Sequence, residues 1–126
     1  MAWLVDNMGW VMLISGILTS TMIFAAIAPQ AALKSMFGEG LEGPLAEIVV
    51  RNWGSLIAFG GAMLIYGAYN IEVRPLVLVF TGAGKLVFIA LVLSQGGRYV
   101  RRQAGIAAAI DMVIVALFAA YLAATL

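Results

Sequence analysis

Between Asp6 and Lys34 the chain carries no charged residue, and three further long apolar stretches follow, each broken by at most two charges. A membrane-spanning helix needs about 20 mostly apolar residues. Composition points the same way: of 126 residues, 64% are hydrophobic and 10% charged, against about 45–50% and about 25% in soluble domains. Small domains expose proportionally more of their surface, and the seven basic and six acidic residues cannot cover it. The solvent is therefore a bilayer. The expected fold class is an all-α membrane protein, an antiparallel four-transmembrane-helix bundle.

Charges and helix breakers set the expected spans. The first covers about 9–28, closed by Pro29, because proline is tolerated at a helix end and not in its interior. The second runs 44–69 from Pro44, a favourable first-turn residue, with Glu47 and Arg51 in its opening turns. A short hinge at 70–75 leads to the third, 75–94, which Gln95-Gly96-Gly97 ends. The last covers 104–126. Four such spans consume about 80 residues, so residues 1–126 form a single transmembrane domain. Ala26-Ile27-Ala28 has the small-x-small look of a signal-peptide cleavage site, but no basic segment precedes the apolar run and Pro29 would follow the cut. The first helix is read as retained.

Lys34, Arg98, Arg101 and Arg102, with Arg51 nearby, lie on the side of the first and third loops, against Arg74 on the other. Positive residues favour the cytoplasmic side, which puts both termini outside. Trp3, Trp10, Tyr66, Tyr69 and Tyr121 would gather at the outer surface, Trp53 and Tyr99 at the inner one, as interfacial aromatics do. In lipid, helices associate through close backbone approach at small residues. Gly54, Ala58 and Ala62, then Ala116, Ala120 and Ala124, and the step Gly16 to Ser20, supply it.

Lys85 falls near the centre of the third span and Asp111 lies seven residues into the fourth. Either charge costs roughly 2.5–3.5 kcal/mol at a helix centre. Counted from their shared cytoplasmic end, Lys85 is about 13 Å deep and Asp111 about 10 Å, so the two are expected to pair across the helices. Intramembrane ionisable residues mark functional sites by default, and a lock that fixes helix neighbours is the structural alternative. Glu47 and Arg51 stand at i and i+4 in the favourable order for an intrahelical pair. Asn52, Thr19, Ser20 and Thr21 lie at depths where they could complete a polar pocket with Lys85 and Asp111. Arg98, Arg101 and Arg102 are candidates for anionic lipid headgroups, at about 1 kcal/mol per basic residue. The Gly38–Gly43 segment lacks the Lys-Ser/Thr ending of a phosphate loop and carries two acids, so it reads as a turn.

The chain has no Cys and no His. Thiolate chemistry and the usual zinc, haem and iron–sulfur ligands are absent, and no metal site or catalytic residue is expected. Seven scattered basic residues do not make a nucleic-acid surface.

Pro29 closing the first span, Met36-Phe37-Gly38 in a Gly- and acid-rich loop, Arg51 followed by Gly54, and Gly60-Gly61 together resemble the DoxX-like group of small four-helix bacterial membrane proteins. The resemblance covers the first three spans. It implies a four-helix bundle in a bacterial inner membrane. For DoxX proper it also implies a small membrane subunit of a thiosulfate:quinone oxidoreductase that works with a partner; no cofactor is otherwise expected, and quinone is the one the resemblance allows. Arg51 is the polar position that carries over, and Lys85 and Asp111 have no counterpart in the motif.

The function expected is a small polytopic membrane protein that is a subunit or a binder of lipid, quinone or another small ligand, with a buried polar pocket around Lys85 and Asp111. Membrane lipids and a partner subunit are its expected partners. A homo-oligomeric transporter or proton conductor is the alternative. The two hairpins align only through Ser15-Gly16 against Thr81-Gly82, slight support for the internal repeat of a transporter. An intramembrane enzyme using Lys85 is the third reading, with a thin acid–base repertoire.

Overall fold

The computed structural model describes residues 2–125, and within them the chain is a helical bundle. Its helices are α1 (Ala2–Ser20), α2 (Ile23–Ile27), α3 (Pro29–Phe37), α4 (Pro44–Tyr69), α5 (Arg74–Leu93) and α6 (Gln103–Thr125), with a 3-10 turn at Ile71–Val73 before α5. Four segments are long and apolar enough to cross a membrane: Ala2–Ile27, Pro44–Tyr69, Ile71–Leu93 and Gln103–Thr125. This is an all-α membrane protein with four spanning helices. The expected end of the last span, Leu126, lies outside the described residues.

α1 packs against α4 and α6, and α5 packs against the same two, so the spans form a ring in which α1 and α5 are diagonal. One end carries the start of α1, the end of α6 and the 70–73 turn. The other, loop-rich end carries α3 and the 94–102 segment. The core divides in the same way. Leu4, Met8, Met12, Leu64, Leu78 and Phe118 fill the terminal half, while Ala25, Ala32, Leu33 and Val50, and Ile89, Val92, Ala104 and Ala108, fill the loop-rich half.

Three features of the first span differ from expectation. The helix begins at Ala2, so Asp6 lies inside it, exposed near the terminal end. It breaks at Thr21–Met22, between α1 and α2. There Thr21 donates its hydroxyl to the Leu18 carbonyl at 2.5 Å, and Thr21 and Met22 N–H groups turn back to Leu18 and Thr19. Hydroxyl side chains compete for the backbone in this way, and the Thr19-Ser20-Thr21 run is the signal in the sequence. Third, Pro29 does not simply close a span: it opens α3, where its missing N–H costs nothing. α3 ends on Gly38, whose positive φ of 77° suits glycine.

The α1–α4 contact is backbone against backbone. A methyl group on Gly16 would stand 2.8 Å from the Gly61 carbonyl, and one on Gly61 would stand 2.7 Å from the Gly16 carbonyl. Likewise a methyl group on Gly54 would stand 2.7 Å from the Ala25 methyl of α2. Of the expected small-residue stripes, Gly54 and Ala58 are buried, but Ala62 is exposed and Gly61 takes its place. On α6, Ala116 and Ala124 are exposed, and the buried small residues are Ala104 and Ala108. A four-residue step drifts around a helix of 3.6 residues per turn, which is why a long stripe leaves the contact face.

Arg74 is not the solitary interfacial charge its position suggests. It is buried, and its guanidinium donates to the Gly67 carbonyl at 3.1 Å, the Ala68 carbonyl at 3.0 Å and the Tyr121 hydroxyl at 3.3 Å. It thereby caps the negative C-terminal end of α4. Tyr121, expected in the outer aromatic belt, is instead buried beneath it.

Candidate functional site: a polar layer and a neighbouring cleft

Lys85 lies eight residues before Leu93 and Asp111 eight after Gln103, so each is about 12 Å from the loop-rich end at 1.5 Å per residue. Each also falls on its helix's inward stripe. Buried Leu78, Thr81, Gly82, Ile89 and Val92 flank Lys85, and buried Ala104, Ala108, Ile114 and Phe118 flank Asp111. The Lys85 ammonium meets the Asp111 carboxylate at 2.8 Å, with side-chain exposures of 10% and 18%. The same ammonium donates to the Thr19 hydroxyl at 3.2 Å, and Thr19 donates its own proton to the Ser15 carbonyl at 2.7 Å. Lys85 therefore reaches across the ring to the diagonal helix. Three spans meet at one nitrogen, in the layer between the two halves of the core.

Of the other polar residues expected around the pair, only Thr19 joins it. Ser20 lies against Gly61 in the α1–α4 contact, Thr21 bonds Leu18, and Asn52 is exposed on α4. Glu47 and Arg51 are also exposed, and they are not an ion pair. Among the described residues the ion pairs are Lys85–Asp111 and Arg98–Glu39. An exposed i,i+4 pair contributes only about 0.3–0.5 kcal/mol, too little to hold two long side chains together. α4 has 26 residues, about 39 Å against an apolar thickness of about 30 Å. The helix is therefore longer than the slab is thick, with Glu47 and Arg51 in its opening turns.

Just past Thr19, the interruption at Thr21–Met22 opens on a cleft of about 290 Å³. Ala32, Ser35 and Met36 of α3 line it from one side and Gln103 of α6 from another. Ser35 donates to the Gln103 side-chain carbonyl at 2.8 Å across it. Lys85 and Asp111 do not line this cleft. A second cleft, of about 370 Å³, lies between Gln30, Lys34, Glu42 and Glu47.

Of the three arginines considered for lipid headgroups, Arg98 is engaged within the protein. Its guanidinium holds both Glu39 carboxylate oxygens, at 2.7 and 2.8 Å, and the Tyr99 hydroxyl adds a bond at 3.0 Å. Tyr99 stacks edge-on against Phe37, which in turn packs on Trp53, so α3, α4 and the 94–102 segment are clasped together. Arg101 and Arg102 are exposed. The Arg98 bonds hold the Glu39 carboxyl below the usual carboxylate range, with the Tyr99 hydroxyl adding to the effect. Because the folded value is lowered, this contribution is present above the ordinary carboxylate value and is lost as pH falls through the lowered one. In a carboxyl-resolved NMR titration, Glu39 should titrate below the ordinary glutamate value and move up towards it in Arg98→Gln; a midpoint unchanged by that substitution would rule the clasp out.

Comparison with protein-family models, with curated proteins and with solved structures finds no match to this chain.

Proposed function

We propose that this membrane protein is a non-catalytic amphiphile binder, in which the Lys85–Asp111–Thr19 layer fixes three spans and the cleft at the α1–α2 interruption receives the ligand. The observation that carries the reading is the position of that interruption. Broken backbone at membrane depth is tolerated where it is buried in protein or lines a cavity, and Thr21 and Met22 line the cleft. The cleft is apolar on most of its wall, with Thr21, Ser35 and Gln103 as its polar residues, and ligand sites are mostly apolar with a few polar groups. Lys85, already bonded to Asp111 and Thr19, braces the spans and is not the chemical centre of the site.

The exposed basic residues, Lys34, Arg51, Arg98, Arg101 and Arg102, all lie at the loop-rich end, since Arg74 is buried. That asymmetry supports a cytoplasmic loop-rich end and outer termini, in the bacterial inner membrane that the DoxX-like resemblance implies. Single cysteines introduced at Glu42 and Glu72 of this cysteine-free chain should then label from opposite sides. Native mass spectrometry of gently extracted protein tests the binding itself. An amphiphile should remain on the wild-type chain and be absent from Ser35→Phe, whose ring fills the cleft. A wild-type chain that carries none, or a variant that retains it equally, overturns the reading.

A further inference from the structure

We infer that the occupant of this cleft is an anionic phospholipid of the surrounding membrane, with an acyl chain between α2, α3 and α6 and its phosphate on Arg101 and Arg102. The inference rests on the binding role proposed above and names the ligand class. The cleft wall is largely methyl and thioether: Met22, Ala25, Ala32 and Met36, with Phe24 at its edge. That surface suits a hydrocarbon chain.

The charge at the mouth selects the headgroup. Arg102 immediately precedes the cleft residue Gln103, and its guanidinium folds over the C-terminal end of α3, so that a methyl group on Gly38 would meet its Cζ at 2.8 Å. Gly38 lies two residues from Met36 in the cleft wall. No side-chain hydrogen bond or ion pair occupies Arg101 or Arg102 among the described residues, whereas Arg98 is held by Glu39. Glu39 is the acid facing Arg102, and its charge is already matched by Arg98. The Arg102 guanidinium therefore stands beside the end of α3 next to the apolar cleft, and the exposed Arg101 adjoins it in the chain. Lys34 faces away, in the second cleft with Glu42 and Glu47.

The test uses the full chain in detergent, delipidated and titrated with phosphatidylglycerol, phosphatidylcholine or inorganic phosphate, with bound lipid counted by native mass spectrometry. Phosphatidylglycerol should bind tightest. Arg101→Gln/Arg102→Gln should weaken it about thirtyfold at low salt, from roughly fivefold per basic residue. Ser35→Phe should abolish it without altering helicity or elution volume, and Gln103→Phe serves if that variant does not fold. Equal affinity for the two lipids overturns the inference, as does phosphate competing as well as the lipid. Weakening by the arginine variant with none by the cleft-filling variant overturns the acyl-chain placement. A retained quinone or other uncharged amphiphile, displaced by Ser35→Phe, would sink the phospholipid assignment and leave the binding role standing; a chain that binds no amphiphile at all sinks both.

Discussion

Asp111→Leu alone should destabilise the bundle by about 3–5 kcal/mol, and adding Lys85→Met should restore most of that loss. Removing one partner of a buried ion pair leaves an uncompensated charge, whereas replacing both by apolar groups of similar volume is often neutral or better. Here the stranded group would be the Lys85 ammonium, only 10% exposed and reduced to its bond with the Thr19 hydroxyl. Thermal melting of the two variants and the wild type in one detergent measures the effect. If the double variant melts as low as the single one, charge is not what holds the layer together and the shape of the side chains is. If it melts near the wild type and still retains its amphiphile, the pair is a lock that the ligand site does not need. A stable double variant that has lost its ligand would place the pair within the site.

Gly61→Ala and Gly84→Ala should move stability in opposite directions. At Gly61 the new methyl would stand 2.6 Å from the Ser20 amide nitrogen and 2.7 Å from the Gly16 carbonyl. Both are backbone atoms of a packed helix, so α1 must move away from α4, at the about 1–3 kcal/mol or more that overpacking costs. At Gly84 there is nothing within 4 Å, and alanine gains up to about 1 kcal/mol in helix propensity. The difference between the two melting temperatures isolates the close approach from the generic preference of helices for alanine. Destabilisation of equal size at both sites would show that the α1–α4 contact is looser than described.

The spans were legible because hydropathy and the spacing of charges act over some 20 residues at a time, and bilayer thickness leaves little choice. α4 begins and ends at the expected Pro44 and Tyr69. Lys85 and Asp111 could be matched because depth along a helix follows from counting residues, so two charges at equal depth on neighbouring spans must meet or stay unpaired. Azimuth is harder to read. Whether Ala62 or Gly61 faces α1 depends on a rotation of one residue, and only packing decides it. The break at Thr21–Met22 was hidden within a hydrophobic run, since a local exchange of hydrogen bonds leaves hydropathy unchanged. Arg74 misled because a loop-edge cation reads as topological. Its burial depends on the α4 carbonyls and on Tyr121, which is 47 residues away along the chain.

Lys85 and its carboxylate partner are separated by 26 residues, which imposes an order of events during synthesis. The first two spans can settle against each other as soon as both exist, because glycine backbones make that contact. The third enters the membrane with a positive charge near its middle and no counter-charge until the last helix has been made. Until then the ammonium has only the Thr19 hydroxyl or water drawn in from the loop-rich end. A chain interrupted before Asp111 would therefore be a three-helix intermediate whose inward-facing Lys85 ammonium still lacks its counter-charge.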